Sequence, residues 1–566
     1  MDERDDLDAG RKKTSLAMHD LIIRNGLVVD GVSESAYRAD VAVDGNQISK
    51  IGVVSEESLQ VIDAEDCIVT PGFIDLHTHL DAQIGWDPML TPLSWHGVTT
   101  AILGNCGVTF APCKPQDREF LANMMETVED IPRDAILEGL AWNWESYGEY
   151  LNALESLSPV INVGGMVGHC AVRFYVMGER GIDEDASAQD IEQIAMVVEE
   201  AIKSGAVGFS TSRNPGHRIP DGRSVPGTFA TEDELLAIAK VVGQERGLMQ
   251  SVMNMSRVDD EMALLKLEAS KARVLFSHYT GGTTSFGDKI EAQVDSMRRE
   301  GLDVSAMVIP RASGFVAGLE VYPPWRGGPW DELLPMALKD RLKTIDDPAL
   351  TERLIEFARV NEPIVPAEQI YHLGDGEYPD YVSGPEQSLS ALAERNLEHP
   401  AETFIRMSLA SNGKALFTLR ALNRNLEAVA KAISADFCLP GLGDAGAHVN
   451  QIMDSGWTTF CLAYWCRDRE LLSLSEMVKQ LTSAPARIVG LSDRGVIKPG
   501  AKADLNVIDL DRLSELMPKV VSDFPGGSKR LIQGAKGYRA TVCNGVVILE
   551  NDRHTGARAG EVLRRK

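Results

Sequence analysis

Residues 68–79 read IVTPGFIDLHTH, an apolar run closed by two histidines that alternate about Thr78. In an extended chain successive side chains point to opposite faces, so His77 and His79 project the same way. Seven more apolar runs follow: VTTAILGNCG (98–107), VINVGGMVGH (160–169), AVGFSTS (206–212), GLMQSVMN (247–254), ARVLFSH (272–278), LDVSAMVI (302–309) and FCLPGLGDAGAH (437–448). Helical patterns separate several of them, as in DASAQDIEQIAMVVEEAIKSG (185–205), with its acidic first turn and terminal Gly205. Apolar runs alternating with helices predict a parallel α/β sheet, and eight such runs match a (β/α)8 TIM barrel. An open doubly wound sheet is the rival architecture.

Outward from this core, residues 1–18 read as a flexible polar tail. Segments 19–69 and 497–566 carry short alternating strands with turn signals at Asn25-Gly26, Asp30-Gly31, Asp44-Gly45 and Asn544-Gly545. Two β-rich ends on one chain are expected to join into a small β-sandwich, although two separate β-modules would read similarly. The barrel domain is then 70–496. It contains an insertion at about 310–430, far longer than an ordinary connection, that includes EVYPPWRGGPW (320–330) and predicted helices. Placed before the last barrel strand, it would lie over the barrel mouth.

The formal charge is −27 from 56 Lys+Arg and 83 Asp+Glu, and no basic stripe is visible, which argues against a nucleic-acid partner. No run of about 18 apolar residues predicts a membrane span. The charged start MDERDDLDAGRKK lacks the apolar core of a secretory signal, and the eight cysteines form no C-x-x-C pair. A cytoplasmic protein with reduced thiols is the expectation, with a homo-oligomer as the ordinary prior.

Polar residues close the apolar runs: His77 and His79, Cys106, His169, His278 and Asp444. In a parallel barrel all strand C-termini share one face, so these residues would converge. Neutral imidazoles suit a borderline divalent metal such as Zn²⁺, and a soft thiolate from Cys106 could bridge two such ions. His77, His79, Cys106, His278 and Asp444 are therefore the expected ligands of one or two Zn²⁺ ions. Asp444 is also the expected proton shuttle, taking a proton from water and returning it to a leaving nitrogen. A paired strand histidine, a small buried thiol and a helix-capping Asp are the bland readings of the same residues. His169, Arg213, His217, Tyr279 and His448 are the expected substrate-binding groups. Arg213 and His217 lie in the loop STSRNPGHRIPDGRSVPG (210–227), where an arginine could clamp a carboxylate or be merely solvated.

At PGFIDLHTHLD, GNCG, SHY, GDAGAH and SAPARIVGLSDRGVIKPGAKADLNVIDLD, the sequence resembles the amidohydrolase superfamily, and more narrowly its N-acyl-D-amino-acid deacylase (D-aminoacylase) branch. The similarity runs from about residue 20 to the end. It implies zinc-dependent deacylation of an N-acyl-D-amino acid, with His77, His79, Cys106, His278 and Asp444 at the family's metal and catalytic positions. Three departures stand out. Val252 is nearest the place of the family's strand-five metal-binding His, and Thr280 stands where a Lys often holds the substrate carboxylate. Strand four has no Lys to carboxylate, as expected where Cys106 bridges. The first two departures leave open the metal count and the D-amino-acid specificity, and the aromatic insert 321–330 with the missing Lys keeps open another C–N substrate, such as a cyclic imide, a carbamate or a larger hydrophobic N-acyl compound. A catalytically inactive ligand-binding barrel is the remaining alternative.

Overall fold

The structure, a computed structural model, describes residues 18–281 and 284–565. The expected tail lies outside them except for Met18, which already begins a strand. Each of the eight apolar runs contains one strand of an eight-stranded sheet whose neighbours run parallel in chain order. The strands are Phe73–Asp75, Val98–Leu103, Asn162–Gly168, Gly208–Ser212, Leu248–Val252, Arg273–His278, Val304–Val308 and Cys438–Pro440. The sheet curls until its first and last members meet, where Thr78 bridges Ala445 in parallel and the His79 amide donates to the Ala445 carbonyl at 2.8 Å. Ile74, Ile102, Met166, Val207, Leu248, Leu275, Met307 and Leu439 pack together, one buried apolar residue from or beside each strand.

Strands from both ends of the chain share a single nine-stranded sheet. Strand Leu505–Ile508 pairs antiparallel with both Ile68–Pro71 and Tyr538–Cys543. Asn544-Gly545 makes the expected two-residue turn, both residues having positive φ. Asn25-Gly26 does not turn the chain. It forms a bulge inside strand Met18–Val28, where position 26 must be glycine since a Cβ there would lie 2.3 Å from Val69 Cγ2. The local signal for φ > 0 was real, but the neighbouring strand decided its use.

The insertion contains more than helices. Strands Ser313–Gly318, Leu416–Leu422 and Ile370–Gly374 form their own antiparallel sheet over a separate core holding Trp325, Trp330, Phe404 and Phe417. It meets the barrel mouth through Asn423, whose Oδ1 accepts from the Thr280 amide at 2.9 Å, and through Val316, whose amide donates to Gln451 O at 2.6 Å. Among the described residues no helix is long and apolar enough to cross a membrane. All eight cysteines are buried and free.

A buried polar node joins the terminal sheet to the barrel. Asp504 accepts from Arg494 Nη1 at 2.6 Å, Asn162 Nδ2 at 3.1 Å and the Asn544 amide at 2.7 Å, and it is only 3% exposed. Removing one partner of such a pair strands the other charge. Asp504→Ala is therefore expected to destabilise the protein by about 3–5 kcal/mol, read from denaturant unfolding. A loss below about 1 kcal/mol would reduce the node to an ordinary surface-grade ion pair.

Candidate active site

The closure of the sheet sets the geometry of the site. After Asp75 the chain bends at Leu76, and Thr78 is pinned by its amide and hydroxyl to Ile102 O at 3.2 and 2.9 Å. On either side of it the His77 and His79 rings meet edge to face, 5.4 Å apart. Cys106 follows the second strand in the left-handed conformation at φ 55°. Gly104 before it must be glycine, since a Cβ there would lie 2.2 Å from Met166 O. Gln250 Oε1 accepts from the Cys106 amide at 3.3 Å and Ser210 Oγ from the Gly107 amide at 3.0 Å, so strands four and five fix this turn.

Cys106 Sγ is 3.3 Å from His77 Nε2. Asp444 Oδ1 is 3.2 Å from His77 Nε2 and 3.8 Å from His79 Nε2. Asp444 and His448 are also left-handed, at φ 44° and 46°. A non-glycine residue in this region costs about 1–2 kcal/mol, and such strain concentrates where side chains are being aimed.

Burial shapes the electrostatics. It pushes His77 down to about 3, helped by His217, and drives His79 far below its ordinary value, so both imidazoles are neutral with lone pairs available. It pushes Asp444 up to about 8, with Asp454 and Asp75 adding repulsion, and lifts the Cys106 thiol far above its ordinary value, with Glu129 and Asp444 adding to the effect. A bound divalent cation would reverse the last two shifts, because it favours carboxylate and thiolate. The donor set fits such an ion. His77, His79 and Cys106 present ligand atoms within 4.8 Å of one another, and Asp444 Oδ1, which faces both Nε2 atoms, is buried without a hydrogen-bond partner. Contacts of 3.2–3.3 Å are the spacing of neighbouring ligands on one ion with bonds of about 2.0–2.3 Å.

The remaining expected residues divide. His217 and His448 lie close enough to disfavour charge on His79, and burial holds each at about 4. The Tyr279 phenol is held protonated by burial and by the nearby Asp444, Cys106 and Glu129. His278 does not join the cluster. It pairs with Val308 across the sheet and shares the face of Phe276, whereas Ser277 pairs with Met307 and touches Gln250 inside the barrel. Tyr279, one residue on, is the one beside Cys106 and Asp444. Both ring nitrogens of His169 are taken, by Thr211 Oγ1 at 2.8 Å and Glu234 Oε1 at 2.9 Å. Arg213 donates through Nε to both Glu261 oxygens at 3.0 Å. Val252 ends strand five, 4% exposed, with no atom that can ligate.

Two residues here carried no signal in the sequence. Gln250 holds the Cys106 turn from inside the barrel. Glu129 ends helix Arg118–Glu129, 2% exposed, with Oε1 3.4 Å from His79 Nδ1 and Oε2 3.7 Å from His448 Nε2. METVEDIP reads as an ordinary amphipathic helix end, and only tertiary packing turns Glu129 inward.

Comparison with known proteins identifies the family. The model of the Amidohydrolase family matches residues 60–286 and 343–549. The D-aminoacylase of Alcaligenes xylosoxydans xylosoxydans is 27% identical over 96% of this chain and 98% of its own length. The N-acyl-D-glutamate deacylase of the same organism is 28% identical over 88% of each. The solved N-acyl-D-glutamate deacylase of Bordetella bronchiseptica, complexed with zinc and a phosphonate inhibitor, has a TM-score of 0.65 at 23% identity, covering 97% of this chain and 100% of that one. The chain belongs to the amidohydrolase family, and over nearly its whole length it is similar to D-aminoacylases and N-acyl-D-glutamate deacylases.

Proposed function

We propose that this chain hydrolyses the amide bond of a small N-acyl compound with the help of a divalent metal, zinc by donor type, with N-acyl-D-amino acids the substrate class its relatives favour. The observation that carries the reading is the meeting of His77, His79, Cys106 and Asp444 at one point, with Asp444 Oδ1 within 3.2–3.8 Å of both imidazoles. His77, His79 and Cys106 would hold the ion, which supplies carbonyl polarisation and a lowered pKa for water. Asp444 faces the same point. As a carboxylate it accepts the proton of the attacking water, and as an acid it hands that proton to the leaving nitrogen. Its side chain keeps 26% of its exposure, enough to meet a substrate. His217 and His448, held neutral, and the Tyr279 phenol are N–H and O–H donors for the substrate carbonyl as negative charge develops on it. With Val252 and His278 both outside the cluster, one ion is favoured over two.

A second reading concerns the substrate. Thr280 is bound to Asn423, Arg213 is paired with Glu261, and the stretch YTGGTTSFG (279–287) contains no Lys or Arg. The charged-type side chains nearest the cluster, Asp444 and Glu129, are acids that offer an anion no positive charge. This favours an uncharged amide, such as a cyclic imide or a hydrophobic N-acyl compound, over a free N-acyl amino acid.

Asp444→Asn is expected to lower kcat by about 10²–10⁴-fold with metal content unchanged, measured by turnover and elemental analysis of the same preparation. Near-normal turnover would remove Asp444 from the proton transfers. Extraction with a chelator should abolish activity and added Zn²⁺ restore it; full activity in metal-free protein would refute the metal-assisted reading. A panel of N-acetyl-D- and N-acetyl-L-amino acids, their methyl esters or amides, and cyclic imides separates the two substrate readings. A larger kcat/KM for neutral members supports the second, and a preference for free D-acids sinks it.

A further inference from the structure

Glu129 belongs to no part of the reaction described above, yet its carboxylate is buried against the site. Helix Arg118–Glu129 packs Leu121, Met124, Met125 and Val128 into the core and ends exactly at this residue. Asp130 then turns left-handed at φ 54°, and its Oδ2 accepts from Gln451 Nε2 at 2.9 Å. The Glu129 carbonyl accepts from the His448 amide at 2.5 Å. The helix end is thereby locked to the loop that carries Asp444. Among the described residues no Lys or Arg forms an ion pair with Glu129; His79 at 3.4 Å and His448 at 3.7 Å are its only such neighbours.

A neutral imidazole carries one proton on either of two nitrogens, and a ligand needs the lone pair on the metal side. With a cation held on the far side of the ring the Glu129 carboxyl is favoured as a carboxylate, which only accepts hydrogen bonds. Placed beside Nδ1, Glu129 favours the tautomer with the proton on Nδ1 and leaves the Nε2 lone pair toward Asp444 and His77. Among the described residues Glu129 Oε1 at 3.4 Å is the only ion-pair neighbour of His79 Nδ1, which makes no hydrogen bond of its own. Through its backbone carbonyl the same residue holds the amide of His448, four positions after Asp444, and its Oε2 faces His448 Nε2 at 3.7 Å.

Resting on the metal-hydrolase reading above, we propose that Glu129 is a positioning residue of the metal centre: it selects the ligating tautomer of His79 and ties the Asp444–His448 loop to helix Arg118–Glu129. The test uses the full chain, stripped of metal, with Zn²⁺ affinity read by competition against a chromophoric chelator and the melting temperature of the metal-free protein read alongside. Glu129→Gln and Glu129→Leu are each expected to weaken Zn²⁺ binding by about 10–100-fold, with Leu the more severe because the Gln amide oxygen still accepts a hydrogen bond. The metal-free Glu129→Gln protein is expected to melt no lower than the parent, since an amide of the same size replaces a buried carboxyl whose only ion-pair neighbours among the described residues are imidazoles. Glu129→Gln binding Zn²⁺ within about threefold of the parent would overturn the proposal. So would a fall in metal-free melting temperature that accompanies the lost affinity, because that marks a merely structural role. If Glu129→Leu does not fold, the Gln variant alone decides. A parent protein that binds no Zn²⁺ would instead overturn the metal-hydrolase reading itself.

Discussion

The closing seam of the barrel is the constraint on which the rest depends. Two strands separated by more than 350 residues meet where Thr78 bridges Ala445 and the His79 amide donates to the Ala445 carbonyl. This seam runs directly beside His77, His79 and Asp444, so closing the barrel and assembling the site are one event. Backbone hydrogen bonds at the seam hold the carboxylate against the imidazoles more firmly than side-chain contacts could. Long side chains on mobile loops would lose that registration, and catalytic groups misplaced by about 1 Å lose much of their effect.

The charge balance around the seam has one consistent interpretation. Asp75, Asp81, Glu129 and Asp444 all have carboxyl groups pushed above their ordinary range, with burial as the first cause in each. Some are hydrogen-bonded within the fold: Asp75 accepts from the Trp457 indole at 2.9 Å and Asp81 from the Gly104 amide at 3.0 Å. Among the described residues Glu129 and Asp444 have only histidines as ion-pair neighbours, and burial holds those imidazoles neutral. Uncompensated buried carboxylates are costly, so they persist where a cation or a reaction requires them. The left-handed backbone at Cys106, Asp444 and His448 points the same way, because strain of that kind survives only where the surroundings over-determine it.

The accessory parts brace this arrangement from outside. Arg311, fully buried just beyond the seventh strand, binds Asp454 at 3.0 Å and both oxygens of Glu515 at 2.7 Å, and it lies 3.6 Å from the centre of the Tyr381 ring. One guanidinium thus joins the barrel, the loop beyond Asp444, the insertion and the C-terminal region. Asn423 of the insertion reaches Thr280 in the same way. The polar group presented at position 280 is therefore consumed by the scaffold, which bears directly on what the site can recognise.

The eight strands were legible in the sequence because each is a short buried run with its own breakers, and the residues closing those runs are local facts. His77, His79, Cys106 and Asp444 could be named from that pattern alone, as could the turn at Asn544-Gly545. What one strand does at its last residue is set by its neighbour, so only the tertiary structure turned Tyr279 inward and His278 toward the outer face through the pairing of Ser277 with Met307. For the same reason Asn25-Gly26 became a bulge, His169 was committed to Thr211 and Glu234, and Arg213 to Glu261. Glu129 shows the limit most clearly. No spacing rule relates the end of one helix to histidines some 50 residues before it and over 300 residues after it. A single sequence records which groups are present, but contacts across such separations exist only once the chain has folded.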